Sequence, residues 1–167
     1  MNKKRETYCK EADTFIQVHY VRERDSDRYA FNTLPLKSDS ERDACMEWYK
    51  SHGNPDKFLD VVELYLEENK IKTDTLCKEY GMESKVFSKS SSGGYTVEKW
   101  EAIAICLGLG LNLAETRALL KTSGYALTNS SKADLIIRYC IENQICKLAD
   151  INYILQKICG RDLNQIS

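Results

Sequence analysis

The sequence lacks most of the residues and motifs that mark an enzyme. Only two histidines, His19 and His52, occur in 167 residues. Neither stands at a fixed spacing from a nucleophile, so the usual general base at neutral pH has no partner. Residues 90–94 (SSSGG) follow a predicted helix rather than a strand, and they lack the Gly-Lys-Ser/Thr ending of a phosphate-binding loop. We therefore expect no catalytic site and no cofactor.

Metal and membrane signals are also missing. The seven cysteines never form a Cys-x-x-Cys pair, which argues against a zinc site. Most of them stand at apolar positions of predicted helices, as reduced core cysteines do. No apolar run is long enough to span a bilayer, and the basic residues 2–5 are not followed by the apolar segment of an export signal. We expect a soluble protein of the reducing cytoplasm.

What is present is the composition of a folded, mainly α-helical protein. Hydrophobic residues make up 43% of the chain, which is enough for a core, and charged residues make up 29%. The length fits one domain or a small domain with an appended arm. A net charge of −1 does not by itself indicate a nucleic-acid-binding protein.

An N-terminal arm is expected before the main helical part. Residues 14–22 (TFIQVHYVR) alternate apolar and polar side chains, and residues 28–34 alternate again until Pro35, which predicts a β-hairpin. A capping box predicts a helix over residues 38–51. Because two strands alone are marginal in water, the hairpin should either cover the helical core or serve as a docking edge for a partner protein. The side chains on that edge would be Ile16, Val18, Tyr20 and Phe31.

The most informative stretch covers residues 72–109. Its pattern predicts two short helices joined by a tight turn, then a glycine-containing loop and a longer apolar helix. Thr73 is expected to cap the first helix and Gly81 to end it, while the second helix is expected over about residues 83–90. Thr96 is expected to cap the apolar helix.

This stretch resembles the helix-turn-helix of the Cro/phage-repressor family, and the resemblance extends over about residues 57–123. It rests on the Gly81-Met82 turn, the polar start of the following helix and an Ile-Ala-x-x-Leu core that begins at Ile103. The resemblance implies a five-helix unit that binds double-stranded DNA as a bacterial transcription regulator, as a homodimer. Position by position, it implies a DNA-binding face made of Lys72, Thr73, Ser84, Lys85, Ser88 and Lys89.

Two further amphipathic helices are expected after this unit. Ser131 opens the first, with an outward ion pair between Asp134 and Arg138, and the second covers about residues 148–159. They either thicken the core or support a dimer. The predicted division is therefore an arm with a hairpin and one helix, a helix-turn-helix domain and a C-terminal helical pair, at residues 1–53, 54–124 and 125–167.

Charge leaves two functions open. Residues 57–121 carry nine lysines and arginines against ten acids, and no arginine or glutamine occurs over residues 70–114. One hypothesis is a DNA-binding regulator that reads its operator with Lys85, Ser88 and Lys89. The other is a non-catalytic adaptor that keeps the fold and binds a protein instead. Acidic side chains crowding the lysines would favour the adaptor, because a DNA-binding face must concentrate positive charge.

Overall fold

The structure, a computed structural model, describes residues 2–20, 57–88 and 96–167. These residues form seven α-helices and two short 3-10 helices, and no strand occurs among them, so the mainly helical fold class is confirmed for this part of the chain. The α-helices are α1 (Asn2–His19), α2 (Lys57–Asn69), α3 (Thr73–Tyr80), α4 (Lys99–Gly108), α5 (Leu113–Thr122), α6 (Lys132–Glu142) and α7 (Leu148–Cys159). The 3-10 helices are Ser84–Phe87 and Leu163–Gln165.

The predicted N-terminal β-hairpin is wrong. Its first strand falls on α1, which is continuous from Asn2 to His19. The alternation of residues 14–22 is real, but Ala12 and Ile16 are four apart and both are buried, as a helical face requires. The predicted strand over residues 28–34 and the predicted helix over residues 38–51 lie outside the described residues.

Helix α4 is the centre of the fold. Every residue from Glu101 to Leu107 is buried, because the sequence of this helix is apolar nearly all round and neighbours cover each side. Helices α3 and α5 pack against it, and α2 packs against α5. The 3-10 helix Leu163–Gln165 returns to α4 and places buried Leu163 there, with Ile166 buried just beyond.

Two helix starts show which local signals decided the boundaries. At α5, the Asn112 side chain accepts the backbone N–H of Glu115, and the Asn112 N–H donates to the Glu115 carboxylate, which makes a capping box. The predicted cap of α4, Thr96, is wrong by two residues. Glu98 holds that position instead, because its own N–H donates to the Glu101 carboxylate at 2.9 Å and its side chain accepts the N–H of Glu101.

The remaining helices form a second layer. Helices α6 and α7 pack on each other, α5 contacts α6, and α1 lies against both α6 and α7. Buried side chains from α1 to Ile166 belong to one continuous core. The three predicted domain ranges stay a prediction. None of the described helices combines the length and apolar character needed to cross a membrane.

Candidate functional site

The first element of the candidate site is α3, which is held close to α4. A Cβ added to Gly108 of α4 would lie 2.3 Å from Cδ2 of Leu76, so only glycine permits this approach. Leu76 and Tyr80 are buried in the contact, and Cys77 is half-buried beside them. These three side chains form the inward face of α3.

The start of α3 differs from the prediction. Lys72, with extended backbone, occupies the N-cap position and makes no side-chain cap bond, whereas Thr73 is already the first helical residue. Thr73 therefore does not cap this helix. Its side chain is half-buried, while that of Lys72 is exposed to solvent.

A tight turn follows α3. Gly81 adopts a left-handed conformation with φ 66°, which a glycine enters at no steric cost, and this ends the helix as predicted. The backbone N–H groups of Gly81 and Met82 both donate to Cys77 O, the second at 3.0 Å, and the Met82 side chain is buried. The turn is thus fixed by backbone bonds and by one apolar anchor.

The second short helix, expected over about residues 83–90 and called the recognition helix because it would carry most of the DNA-binding face, is not an α-helix in the described residues. It is one 3-10 turn, Ser84–Phe87, and Ser88 is already extended with φ −85° and ψ 126°. Val86 is fully buried and fixes the turn, while Glu83, Ser84, Lys85 and Ser88 are exposed. Serines at both ends compete with helical bonds, and a β-branched valine next to an aromatic residue disfavours helix elongation. Lys89 and the loop over residues 90–95 lie outside the described residues.

The charges on this segment are mixed. Lys85 Nζ lies 3.0 Å from a carboxylate oxygen of Glu83, and the two side chains are 50% and 73% exposed. Residues 57–88, which include α2, α3 and the 3-10 turn, contain five lysines and seven acids, a net charge of −2. All seven acids are exposed. We call α2, α3 and the turn Ser84–Phe87, with the residues between them, the acidic surface.

The predicted docking edge does not exist as a strand. Ile16 is buried against the core, Val18 is 72% exposed, and Tyr20 is half-buried with Lys132 Nζ 5.7 Å from its ring centroid. Val18 therefore points away from Ile16, since an α-helix rotates each residue by about 100° and the two are two positions apart, and no single edge carries the three side chains. Phe31, the fourth predicted member, lies outside the described residues.

The acidic surface is joined to the second helical layer by one buried bond. Tyr80 of α3 donates its hydroxyl to the carbonyl oxygen of Cys146 at 2.6 Å, across 66 residues of sequence. Burial raises the pKa of the Tyr80 hydroxyl, so it stays a donor. The position of α3 is thus fixed relative to the segment between α6 and α7.

Sequence reasoning missed the most buried ion pair among the described residues. Asp134 is 1% exposed, and Lys99 Nζ lies 3.0 Å from each of its carboxylate oxygens. The Thr128 N–H and hydroxyl also donate to Asp134, at 2.9 and 3.2 Å. The predicted outward pair with Arg138 is wrong, because Arg138 pairs with Glu142. Lys99 is 35 residues away in sequence, so no local spacing indicates this pair.

The thiols and carboxylates of the described residues form no metal-binding or nucleophilic site that we can assign. Six cysteines are free, and no group of three or more histidine, cysteine or acidic side chains in the described part of the chain could hold a metal ion. Burial raises the pKa of the Cys106 and Cys140 thiols to about 12, which keeps them protonated at neutral pH.

No protein-family model matches this chain, and no curated protein and no solved structure matches it either.

Proposed function

We propose that the protein is a non-catalytic interaction module of the cytosol, which keeps a repressor-like helix-turn-helix and uses the acidic surface to bind another protein. The observation that carries the proposal is the pairing of Lys85 with Glu83 on a one-turn segment. A duplex phosphate would have to displace Glu83 from this lysine.

Length and charge both support this proposal. A recognition helix reads base edges in the major groove from several consecutive turns, whereas Ser84–Phe87 offers one turn with its valine buried. Phosphate neutralisation supplies most of the non-specific affinity for DNA, and a net charge of −2 over residues 57–88 works against it.

The same surface suits a partner with a basic docking face. Exposed acids steer such a partner during encounter and select against acidic competitors. Glu79 on α3 and Glu83 after the turn are both exposed, two residues before and two residues after Gly81 in the sequence, so both carboxylates are accessible to a basic partner. The half-buried ring of Phe87 provides apolar area beside them.

Charge reversal at the turn tests the proposal. Proteins cross-linked to the full chain in its own cells would be quantified by mass spectrometry for the wild type, for Glu79→Lys and for Glu83→Lys. We expect specific partners to be lost in both variants. Glu6→Lys on the exposed side of α1 is the matched control, with the same charge change away from the acidic surface. Partners that survive both turn reversals, or that the control removes equally, contradict the proposal.

A second candidate function is DNA binding as a homodimeric regulator, which the geometry of the turn favours. Gly81 ends α3 in a left-handed conformation, the Met82 and Val86 side chains are buried, and those of Lys72 and Lys85 are exposed. A turn made of glycine and an apolar residue is also part of the Cro/phage-repressor pattern. With Ser84 and Ser88 exposed on the same segment, phosphate and base contacts are both chemically available.

Salt dependence distinguishes the two functions. If the chain binds duplex DNA, fluorescence anisotropy at several salt concentrations between about 50 and 200 mM gives the slope of the logarithm of the binding constant against the logarithm of the salt concentration. The magnitude of that slope falls by about one unit for each phosphate-contacting lysine removed. Lys72→Ala and Lys85→Ala would each lower that slope, while Lys157→Ala on the exposed side of α7 would leave it unchanged. Equal slopes for all three variants exclude DNA reading by this turn.

A further inference from the structure

Helix α1 buries fewer of its residues than the helices beneath it. Of the residues from Lys3 to Tyr20, ten are exposed and only Ala12 and Ile16 are buried. In α6, by contrast, eight of eleven residues are buried. Tyr8, Cys9, Phe15 and Tyr20 pack against the core but stay half-buried, so the apolar surface that α1 buries is small for its length, and helices of this kind open at lower free energy than a fully buried helix.

The contacts of α1 are directed into the groove between α6 and α7. Glu11 and Phe15 contact Tyr139 of α6, and Tyr20 faces Lys132 one to two turns earlier in that helix, so α1 runs antiparallel to α6. Its other end lies at the start of α7, where Arg5 bonds Asp150. The closest described neighbours of α1 are therefore these two helices.

Two polar bonds fix α1 in this groove. Arg5 Nε donates to Asp150 at 2.6 Å, between side chains that are 29% and 22% exposed. The Tyr139 hydroxyl donates to the Glu11 carboxylate at 2.6 Å. Both bonds involve a charged group, and they lie on either side of Cys9 along the helix. Charged hydrogen bonds give geometric precision, yet water can replace them when the helix leaves.

We propose that α1 opens as a unit while α2–α7 stay folded, and so acts as a detachable strap over the groove between α6 and α7. Opening exposes the ring of Tyr139, which is 4% exposed while the strap is closed. The remaining helices keep α4 as their common centre, since α1 contributes only two of the buried side chains of the core.

Native-state hydrogen exchange on the full chain tests the strap. We expect amides of residues 8–16 to exchange at least about tenfold faster than amides of residues 102–107, with a much smaller dependence on added urea. Equal rates and equal urea dependence for the two segments would show that α1 leaves only with global unfolding, which overturns the proposal. Exchange of α1 at the rate of an unstructured peptide overturns it as well.

Matched variants test whether the charged hydrogen bonds are what hold α1 in the groove. Arg5→Gln should raise the opening of residues 8–16 about threefold to tenfold, because one charged bond to Asp150 is lost. Lys10→Gln makes the same charge change on the exposed face, with equal helix propensity, and should leave the rate within about twofold. Glu11→Gln and Glu6→Gln form a second pair of the same design. Acceleration of residues 102–107 along with α1 in Arg5→Gln would refute the strap.

Discussion

The buried pair of Lys99 and Asp134 gives the sharpest prediction about stability. In Asp134→Ala the Lys99 ammonium, whose side chain is 12% exposed, loses its carboxylate, and the Thr128 N–H and hydroxyl lose their acceptor. Removing one partner of a buried pair costs about 3–5 kcal/mol, and because Lys99 can still reach some water we expect about 3 kcal/mol. A loss of this size is a large fraction of the stability of a small domain.

Unfolding in urea, followed by circular dichroism, measures this loss. The dependence of the unfolding free energy on urea concentration should stay the same in the variants. Lys99→Met should cost about 2 kcal/mol, less than Asp134→Ala, since the carboxylate keeps its Thr128 bonds and lies in the first turn of α6. The double variant should cost at least about 1.5 kcal/mol less than the sum of the single variants, because the two side chains touch. A loss below about 1 kcal/mol in Asp134→Ala, or additive losses in the cycle, would refute the reasoning.

Three further predictions follow from burial. Thr116 is fully buried, and its hydroxyl has no hydrogen-bond partner among the described residues. Thr116→Val should therefore stabilise the protein by about 1 kcal/mol in the same urea assay. A destabilised variant would contradict this. Gly108→Ala should destabilise by about 1–2 kcal/mol and lower Tm, because buried Leu76 cannot move away from the added methyl group; an unchanged Tm would show that α3 yields. The raised pKa values of Cys106 and Cys140, about 12 in the folded state, favour the protonated thiols, so stability is complete below the unfolded thiol pKa and falls as pH rises toward 12. Between about pH 9 and 11, replacing either thiol by alanine should flatten that fall by up to about 1.4 kcal/mol per pH unit, and an unchanged slope would contradict the assignment.

Helices with a clear apolar period could be predicted from the sequence. The predicted range of the last helix, residues 148–159, coincides with α7, and Gly81 ends α3 as expected. In these segments the local signal and the packing agree, since apolar side chains at every third or fourth position are the ones that become buried. Periodicity of this kind can be recognised without knowing which other helices pack against the segment.

Segments where two patterns overlap could not be predicted. The nine residues from 14 to 22 alternate like a strand, but the longer helical spacing that begins at Tyr8 prevails in α1 because α6 and α7 supply a groove for it. The helix expected over residues 83–90 is a single 3-10 turn, Ser84–Phe87, because its serines and the β-branched Val86 next to Phe87 disfavour helix elongation. The partner of Asp134 is likewise a property of the tertiary fold, because Lys99 belongs to another helix.

The return of Leu163 and Ile166 toward α4 has a practical consequence for work on isolated fragments. A fragment that stops at residue 124, the end of the second predicted domain, would expose one side of α4 to water and remove the acceptor of the Tyr80 hydroxyl. Apolar patches exposed in this way promote aggregation. Residues 54–124 should therefore be produced together with the helices that follow them, and loss of solubility after truncation should not be taken as evidence about what the turn after α3 binds.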